Sequence, residues 1–233
     1  MLEVPGVYSP ANDSLLLADA LCAERVRSAA VLDLCTGSGF LAMSAARLEA
    51  GSVTAVDVSR RAVASARVNI SLNRLRVQVR RSDLFHALPS GMRFDVIVSN
   101  PPWLPALRTG LPSSGDSRAW DAGLDGRVLL DSICRQVAAR LRPGGVLLTV
   151  HGAVCGADRT MELLAAEGLA VSVLVRRVMP MTKLLQERAT AVTAPLPWGP
   201  AKGTYELVVV RAEMSNLIGA PGRHIARPQP DLA

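Results

Sequence analysis

With 233 residues, the chain is long enough for one α/β domain with a full core and too short for two ordinary domains. It is 49% hydrophobic but only 3% aromatic and carries a net charge of +6, so Ala, Val and Leu must build the core. No apolar run reaches the length of a membrane span, and the four cysteines form no Cys-x-x-Cys pair and no cluster with histidine. We therefore expect no membrane segment, no disulfide framework, no metal site and a reducing, cytoplasmic location.

The first elements predicted are a helix and a strand that ends in a glycine turn. Short polar side chains at 12–14 can cap a helix over Leu15–Glu24. The apolar strand Val31–Leu34 then runs into Gly37 and Gly39, and a helix is predicted over 40–49. Glycine permits the positive φ and the close backbone approach that a nucleotide-like ligand needs.

Two acidic residues follow the next two predicted strands. The strand Val53–Val56 ends in Asp57, twenty residues after Gly37, where an acid can accept hydrogen bonds from ribose hydroxyls. Asp83 follows the strand Leu75–Val79 and could accept from an adenine amino group. The glycine turn also fits the dinucleotide fingerprint, so an NAD-binding domain competes with other nucleoside-binding enzymes at this point.

An arginine-rich stretch lies between these acids. From residue 58 to residue 82 there are seven arginines and no acid: Arg60, Arg61, Arg67, Arg74, Arg76, Arg80 and Arg81. Such a stretch could dock on RNA, DNA or the ribosome, or it could be a solvated helix-and-turn surface. The absence of interleaved aromatic residues favours the solvated surface.

The most informative motif follows the strand Phe94–Val98, where the chain reads Asn100-Pro101-Pro102-Trp103. An amide or exocyclic amine nitrogen is a poor nucleophile because its lone pair is delocalised. Acceptors at the Asn100 side-chain oxygen and the Pro101 carbonyl could draw its N–H bonds out of plane. Proline stiffens such a loop, and Trp103 offers a flat face for stacking. A dehydrogenase needs no such motif, whereas an enzyme that methylates a planar nitrogen does; a plain proline turn is the alternative.

The second half continues the alternation of strands and helices. A long irregular segment spans 104–126, a helix is predicted over about 127–141, and Arg142-Pro143-Gly144-Gly145 is expected to stop it. A strand over Val146–Val150, a helix near 158–167, a strand over 170–176, a Pro/Gly-rich break at 191–203 and a last strand over 205–210 follow. We predict an α/β fold with a mostly parallel, doubly wound sheet and an antiparallel last strand, a domain over 1–211 and a disordered tail over 212–233.

Three stretches resemble the HemK-type (PrmC-like) N5-glutamine methyltransferases, which carry a class I Rossmann-like fold. They are residues 7–14 (Val-Tyr-Ser-Pro-Ala-Asn-Asp-Ser), residues 33–39 and the Asn-Pro-Pro-Trp tetrapeptide. Residues 119–127 resemble the segment with which that family closes over its substrate. The similarity covers roughly residues 7–178 and is greatest to the short branch, so we expect no helical N-terminal domain.

The resemblance implies S-adenosylmethionine as cofactor and a protein glutamine, on a peptide release factor, as substrate. It implies cofactor contacts from one set of residues: Ser14, Asp33, Cys35, Thr36, Gly37, Gly39, Asp57, Val58, Asp83, Leu84 and Asn100. It also implies that Asn100, Pro101, Pro102 and Trp103 form the catalytic motif. A small zinc-binding activator subunit accompanies some members of the short branch.

Two positions depart from the family pattern: Trp103 stands where tyrosine is usual and Asn12 where glutamate is usual. These differences bear on the substrate more than on the chemistry. A ribosomal RNA or DNA base and a small planar metabolite therefore remain alternative substrates.

Overall fold

The computed structural model describes residues 1–107, 109–112, 115–191 and 198–216. The strands are β1 (Ala30–Leu34), β2 (Ser52–Asp57), β3 (Gln78–Arg81), β4 (Phe94–Ser99), β5 (Leu141–Gly152), β6 (Leu169–Pro180) and β7 (Thr204–Met214). The helices are α1 (Asn12–Cys22), α2 (Phe40–Arg47), α3 (Arg60–Leu72), α4 (Val128–Gln136), α5 (Ala157–Ala166) and α6 (Lys183–Ala191). Three short 3-10 turns lie at Asp116–Ala119, Ala138–Arg140 and Ala153–Cys155.

The seven strands form one sheet in the order β3-β2-β1-β4-β5-β7-β6. β1 pairs in parallel with β2 and β4, β2 with β3, and β4 with β5. β7 runs antiparallel to both β5 and β6. The predicted fold class, a mostly parallel α/β sheet with an antiparallel last strand, is confirmed.

The register of the central strands positions the functional loops. Leu34 at the end of β1 lies opposite Val56 of β2 and Ser99 of β4. The loops that leave these three strands therefore emerge side by side at one edge of the sheet, where doubly wound folds bind their ligands. β1 lies inside the sheet between β2 and β4. Its residues Val31, Leu32 and Leu34 are fully buried, as expected for a strand covered on both faces.

The helix ends follow local sequence only in part. α3 begins at an N-cap serine, Ser59, whose hydroxyl accepts a hydrogen bond from the amide of Ala62. α1 begins after Ala11 without a side-chain cap. The carboxylate of Asp13, one of the residues expected to cap α1, instead accepts from the Tyr8 hydroxyl at 2.6 Å.

Several predicted boundaries were wrong. β3 begins at residue 78 rather than 75, because Leu75 and Val77 pack against the α3 side chains before strand pairing starts opposite Thr54. The predicted helix over 127–141 is the shorter α4 plus a 3-10 turn, and the expected stop at 142–145 lies inside β5. α6 was not predicted at all.

The domain boundary predicted at residue 211 stops short of the strand. β7 continues to Met214, and Ala212 is fully buried in the core. The predicted disordered tail lies outside the described residues from position 217 onward. Within the described part of the chain, no helix has the length and apolar character needed to cross a bilayer.

Candidate active site

A cavity of about 680 Å³ opens at the carboxyl ends of the parallel strands. Twelve of the residues that sequence reasoning assigned to a site line it together: Ser14, Cys35, Thr36, Gly37, Asp57, Val58, Asp83, Leu84, Asn100, Pro101, Pro102 and Trp103. Two do not line it, Asp33 and Gly39. The motifs that lie far apart in sequence therefore converge on one volume.

The glycine turn after β1 gives the cavity an open backbone wall. Gly37 has a φ of +54°, and its amide donates to Asp57 Oδ2 at 3.0 Å. A Cβ at Gly37 would meet nothing nearer than the Tyr8 carbonyl oxygen at 3.9 Å, so this surface is free for a ligand. Gly39 has another function: a Cβ there would lie 3.2 Å from Ala66 Cα, so glycine lets α2 pack closely on α3.

Asp33 lies beneath the glycine turn and is completely buried. Its Oδ2 accepts from the Thr36 hydroxyl at 2.5 Å and from the Ala42 amide at 2.9 Å. Burial raises the pKa of this carboxyl to about 7, against the lowering effect of the two hydrogen bonds. In the structure Asp33 orders the turn and the start of α2 and does not line the cavity, and its contact with a cofactor stays a prediction.

Two carboxylates that follow strands line the cavity. Asp57 at the end of β2 accepts from the Gly37 amide and from the Ser59 amide, the latter at 2.8 Å. Burial raises the pKa of the Asp57 carboxyl, and these hydrogen bonds oppose the shift. Asp83 is exposed at the mouth.

Burial also raises the pKa of the Cys35 thiol well above its usual range, which fits a packed side chain rather than a nucleophile.

A hydrogen-bonded chain orients the carboxamide of Asn100. Asn100 Nδ2 donates to Ser14 Oγ at 3.1 Å, and the Ser14 amide donates to Asp13 Oδ1 at 2.6 Å. Burial first, and then the neighbouring Asp13, raise the pKa of Tyr8 well above its usual range, so Tyr8 stays a donor to that carboxylate. With its nitrogen held by Ser14, Asn100 keeps its oxygen as an acceptor in the cavity wall.

Trp103 is more buried than a substrate platform would be. Only 8% of the residue is exposed, and its ring lies nearly parallel to that of Tyr205, with centroids 6.4 Å apart. A Cβ at Gly152 would lie 2.8 Å from Trp103 Cε3, so glycine makes room for the indole. Trp103 thus packs mainly against β5 and β7, and little of the ring face expected to stack on a substrate is left in the cavity.

Two segments outside the parallel strands complete the cavity wall, and only the first was predicted from the sequence. The long segment after the tetrapeptide brings Trp120 into the wall, edge-on to Tyr8 with centroids 5.8 Å apart. α6 brings Leu184 and Leu185 into the wall. A partly buried ion pair joins the two segments: Arg188 lies 2.6 Å from Asp121, whose side chain is 4% exposed.

Tyr205 was also missed, because a single tyrosine in the predicted last strand gives no sequence signal for a site. It lines the cavity from β7, and its hydroxyl is hydrogen-bonded to Asn12. Burial raises the pKa of Tyr205, so this hydroxyl is protonated at neutral pH. Asn12, one of the two departures from the family pattern, therefore has a hydrogen-bond partner in the cavity lining.

The arginine at the end of the segment 119–127 is an anchor and does not line the cavity. Arg127 is buried, pairs with Asp131 at 2.7 Å and donates to the carbonyl oxygens of Cys155 and Gly156. Nearby, His151 is fully buried, and burial lowers its pKa to about 4. His151 therefore stays neutral at physiological pH and lies outside the cavity lining, as expected for a structural residue.

The polar groups that line the cavity fit a nucleoside cofactor. The glycine turn, Asp57, Asp83 and Asn100 all line the same cavity. None of the described residues forms a group of three or more His, Cys, Asp or Glu side chains placed to hold a metal ion. The arrangement can bind and orient two reactants beside an amide acceptor, and no histidine that the structure describes lines the cavity as a general base.

Comparison with protein families and curated relatives agrees with this geometry. A family model described as the methyltransferase small domain matches residues 1–111. A candidate protein N5-glutamine methyltransferase from Methanocaldococcus jannaschii is 33% identical over 181 residues, which cover 78% of this chain and 90% of that protein. The release factor glutamine methyltransferase of Bordetella pertussis is 38% identical, over 64% of this chain and 57% of its own length. The chain thus spans little more than half of that relative.

Solved structures share the fold. The Thermus thermophilus 16S rRNA N2 G1207 methyltransferase, in complex with AdoMet and guanosine, has a TM-score of 0.60 and 27% identity, and the match covers 88% of this chain and 44% of that chain. The E. cuniculi Mtq2–Trm112 complex, which methylates the eRF1 termination factor, has a TM-score of 0.62 and 21% identity, over 90% of this chain and 99% of that chain. The second likeness concerns the fold alone.

Proposed function

Since the chain belongs to the HemK-type protein N5-glutamine methyltransferases, and is therefore an S-adenosylmethionine-dependent methyltransferase, we propose that its substrate is the side-chain amide of a protein glutamine. The sulfonium of S-adenosylmethionine supplies the methyl group. Because that methyl group is already activated, the task of the chain's own residues is to hold the amide in line with it and to keep its lone pair available.

The observation that carries the proposal is the fixed orientation of Asn100. Its nitrogen is held by Ser14 at 3.1 Å, so its oxygen is the group left to accept an N–H of the substrate. The Pro101 carbonyl follows directly in the same cavity wall and would accept the second N–H. Two acceptors on one planar NH₂ match a primary amide, and the product proton can leave after transfer without a strong base.

The position of Trp103 supports an amide over a nucleic-acid base. A base would need an open aromatic face, because stacking supplies much of the energy by which proteins hold an unpaired base. Here the indole is 8% exposed and lies against Tyr205. A glutamine side chain is narrower and needs only the two acceptors and the apolar wall formed by Trp120, Leu184 and Leu185.

The roles of the cofactor-lining residues are part of the proposal. We assign Asp57 to the ribose hydroxyls, and Asp83 and Leu84 to the adenine. The turn from Cys35 to Gly37, together with Val58, would form the surface against which the nucleoside lies. Their common exposure to one cavity supports these roles. Asp33 would act indirectly, through the turn that it orders.

The substrate protein that we propose is a peptide release factor. Among the relatives, the Bordetella pertussis enzyme carries that activity in its name, and a Bradyrhizobium diazoefficiens relative, 38% identical over 140 residues, is a ribosomal protein uL3 glutamine methyltransferase. Such a substrate would place the enzyme in the cytoplasm. We also include a small zinc-binding activator subunit in the proposal, since the E. cuniculi neighbour is a two-protein complex.

The test is a parallel methylation assay with methyl-labelled cofactor. Purified release factors, ribosomal RNA and duplex DNA are each incubated with the enzyme, with and without a candidate activator protein. We expect label on a single release-factor glutamine, located by mass spectrometry, and no label after that glutamine is replaced by asparagine. The Asn100→Ala variant serves as the control that binds S-adenosylhomocysteine but does not transfer. Label in nucleic acid alone would overturn the proposed substrate.

A further inference from the structure

The structure gathers the arginine-rich stretch into one surface. All seven arginines belong to α3, to β3 or to the turn between them, and all seven side chains are exposed. We call this surface the arginine edge; its members are Arg60, Arg61, Arg67, Arg74, Arg76, Arg80 and Arg81. β3 is an outer strand of the sheet, so this edge faces away from the core.

The arginine edge accounts for the whole positive charge of the chain. Of 26 basic and 20 acidic residues, seven basic and no acidic residues lie from position 58 to 82, which leaves 19 against 20, or −1, for the rest. In the described parts of the chain, Arg60, Arg74, Arg76 and Arg80 form no ion pair with a carboxylate. By contrast, Arg27, Arg142, Arg159 and Arg211 elsewhere each pair with an acid.

One of these arginines lies where the helix dipole disfavours a cation, and two others are held on the surface by hydrogen bonds. Arg60 occupies the first turn of α3, which holds no acid, although the positive end of the helix dipole repels cations. Arg67 and Arg81 are held along the surface by hydrogen bonds to the carbonyl oxygens of Val79 at 3.1 Å and Val58 at 3.0 Å. A bound anion would offset the repulsion between Arg60 and the helix dipole.

From this charge and placement we propose that the arginine edge binds the phosphate backbone of structured RNA. Guanidinium groups match phosphate oxygens in a two-pronged geometry, and only two lysines occur in the chain. No Phe, Tyr or Trp lies from 58 to 82, so bases have nothing to stack on and binding depends on the backbone. The choice of RNA over DNA rests on the proposed function, because a release factor acts at the ribosome, where the abundant nucleic acid is RNA.

This RNA is a docking partner and not the methylated group. β3 lies three strand positions from β4, whose carboxyl end carries the catalytic tetrapeptide, a separation of about 14 Å at the usual strand spacing. Arg60, Arg61 and Arg81 reach the rim of the cavity on the side of Asp57 and Asp83. The backbone would therefore run beside the cofactor end and leave the Asn100 end open to a protein.

The test compares two variants of equal charge. In the edge variant, Arg74, Arg76 and Arg80, none of which lines the cavity, are replaced by glutamine; in the control variant the same change is made at Arg27, Arg177 and Lys202, which are exposed elsewhere. Binding of a labelled RNA duplex of about 20 base pairs is measured by anisotropy across a salt series. Each phosphate contact contributes about 0.9 to the slope of log K against log salt on a DNA duplex, so the edge variant should lose about 2 to 3 and the control less than about 1.

Three further arms make the result specific. Polyglutamate of matched charge should not displace the RNA, and a DNA duplex of the same length should not bind more tightly than RNA. Val68→Ser/Leu72→Ser, which removes the exposed apolar residues of α3, should leave RNA binding unchanged. Equal losses in edge and control variants, displacement by polyglutamate, tighter binding of DNA, or loss with the apolar variant would each overturn the proposal. Binding of S-adenosylhomocysteine and release-factor methylation are measured separately, so that a failure of the proposed substrate and a failure of RNA docking are distinguishable.

Discussion

Replacing Ser14 by alanine tests whether this residue positions Asn100 or contacts the cofactor. Ser14 Oγ accepts the Asn100 amide at 3.1 Å, and without it the carboxamide can turn its nitrogen toward the substrate. A typical hydrogen bond contributes about 0.5–1.5 kcal/mol net, which corresponds to roughly a 2- to 13-fold loss in kcat. The loss must be smaller than that of Asn100→Ala, for which removal of a group that acts on the reacting atoms predicts roughly 100- to 1000-fold.

The assay separates the two roles by measuring different quantities. kcat is measured with a saturating protein substrate, and the Kd of S-adenosylhomocysteine is measured by calorimetry. We expect Ser14→Ala to lower kcat and leave that Kd within about twofold, and Ser14→Thr, which keeps the oxygen, to restore most of the turnover. An unchanged kcat with a weakened Kd would show that Ser14 is a cofactor contact and that our account of Asn100 is wrong.

Three other substitutions probe the supports of the site. Gly152→Ala places a Cβ 2.8 Å from Trp103 Cε3 and should destabilise the fold by about 1–3 kcal/mol in urea unfolding; no loss would mean that the indole can move freely. Asp57→Ala should weaken S-adenosylhomocysteine binding in calorimetry, because it removes the carboxylate that holds the Gly37 amide, and unchanged affinity would contradict the assigned cofactor end. Asp33 has a folded pKa of about 7, raised from 3.8, so the folded state keeps a proton that the unfolded state loses. Its contribution to stability is therefore greatest below about pH 4 and declines as the pH rises to about 7. The difference in unfolding free energy between wild type and Asp33→Asn should show this decline when unfolding curves are measured at pH 5 and pH 7.5. A difference that stays constant between the two pH values would refute the reasoning.

The sequence was sufficient to predict that the glycine turn, the acids and Asn100 lie close together, because each follows a strand with a local pattern. Short apolar runs such as Val31–Leu34 are typical of buried parallel strands, and the residues that follow such strands necessarily meet at one edge of the sheet. Gly37, Asp57 and Asn100 could therefore be placed together without knowledge of any long-range contact.

The errors arose where local patterns are ambiguous. Leu75, Val77 and Val79 alternate as a strand does, but the first two pack on α3 before pairing begins. The Pro-Gly-Gly at 143–145 is a usual helix stop, yet it lies in β5 behind an irregular register next to Phe94. In both cases tertiary packing decided the boundary, and a single sequence does not contain that information in readable form.

The substrate half of the cavity depends on contacts between residues far apart in the chain. Asp121 and Arg188 are 67 residues apart, and their ion pair holds together the two segments that cover the site. Tyr205 comes from the antiparallel strand β7, its ring lies against that of Trp103, and it lines the cavity. The type of reaction could therefore be predicted from the residues that follow the strands. The preference for an amide substrate depends on a cavity wall whose residues come together only in the folded chain. Substitutions that change the substrate without abolishing methyl transfer should consequently fall in α6, the segment 104–126 and Tyr205 rather than in the glycine turn.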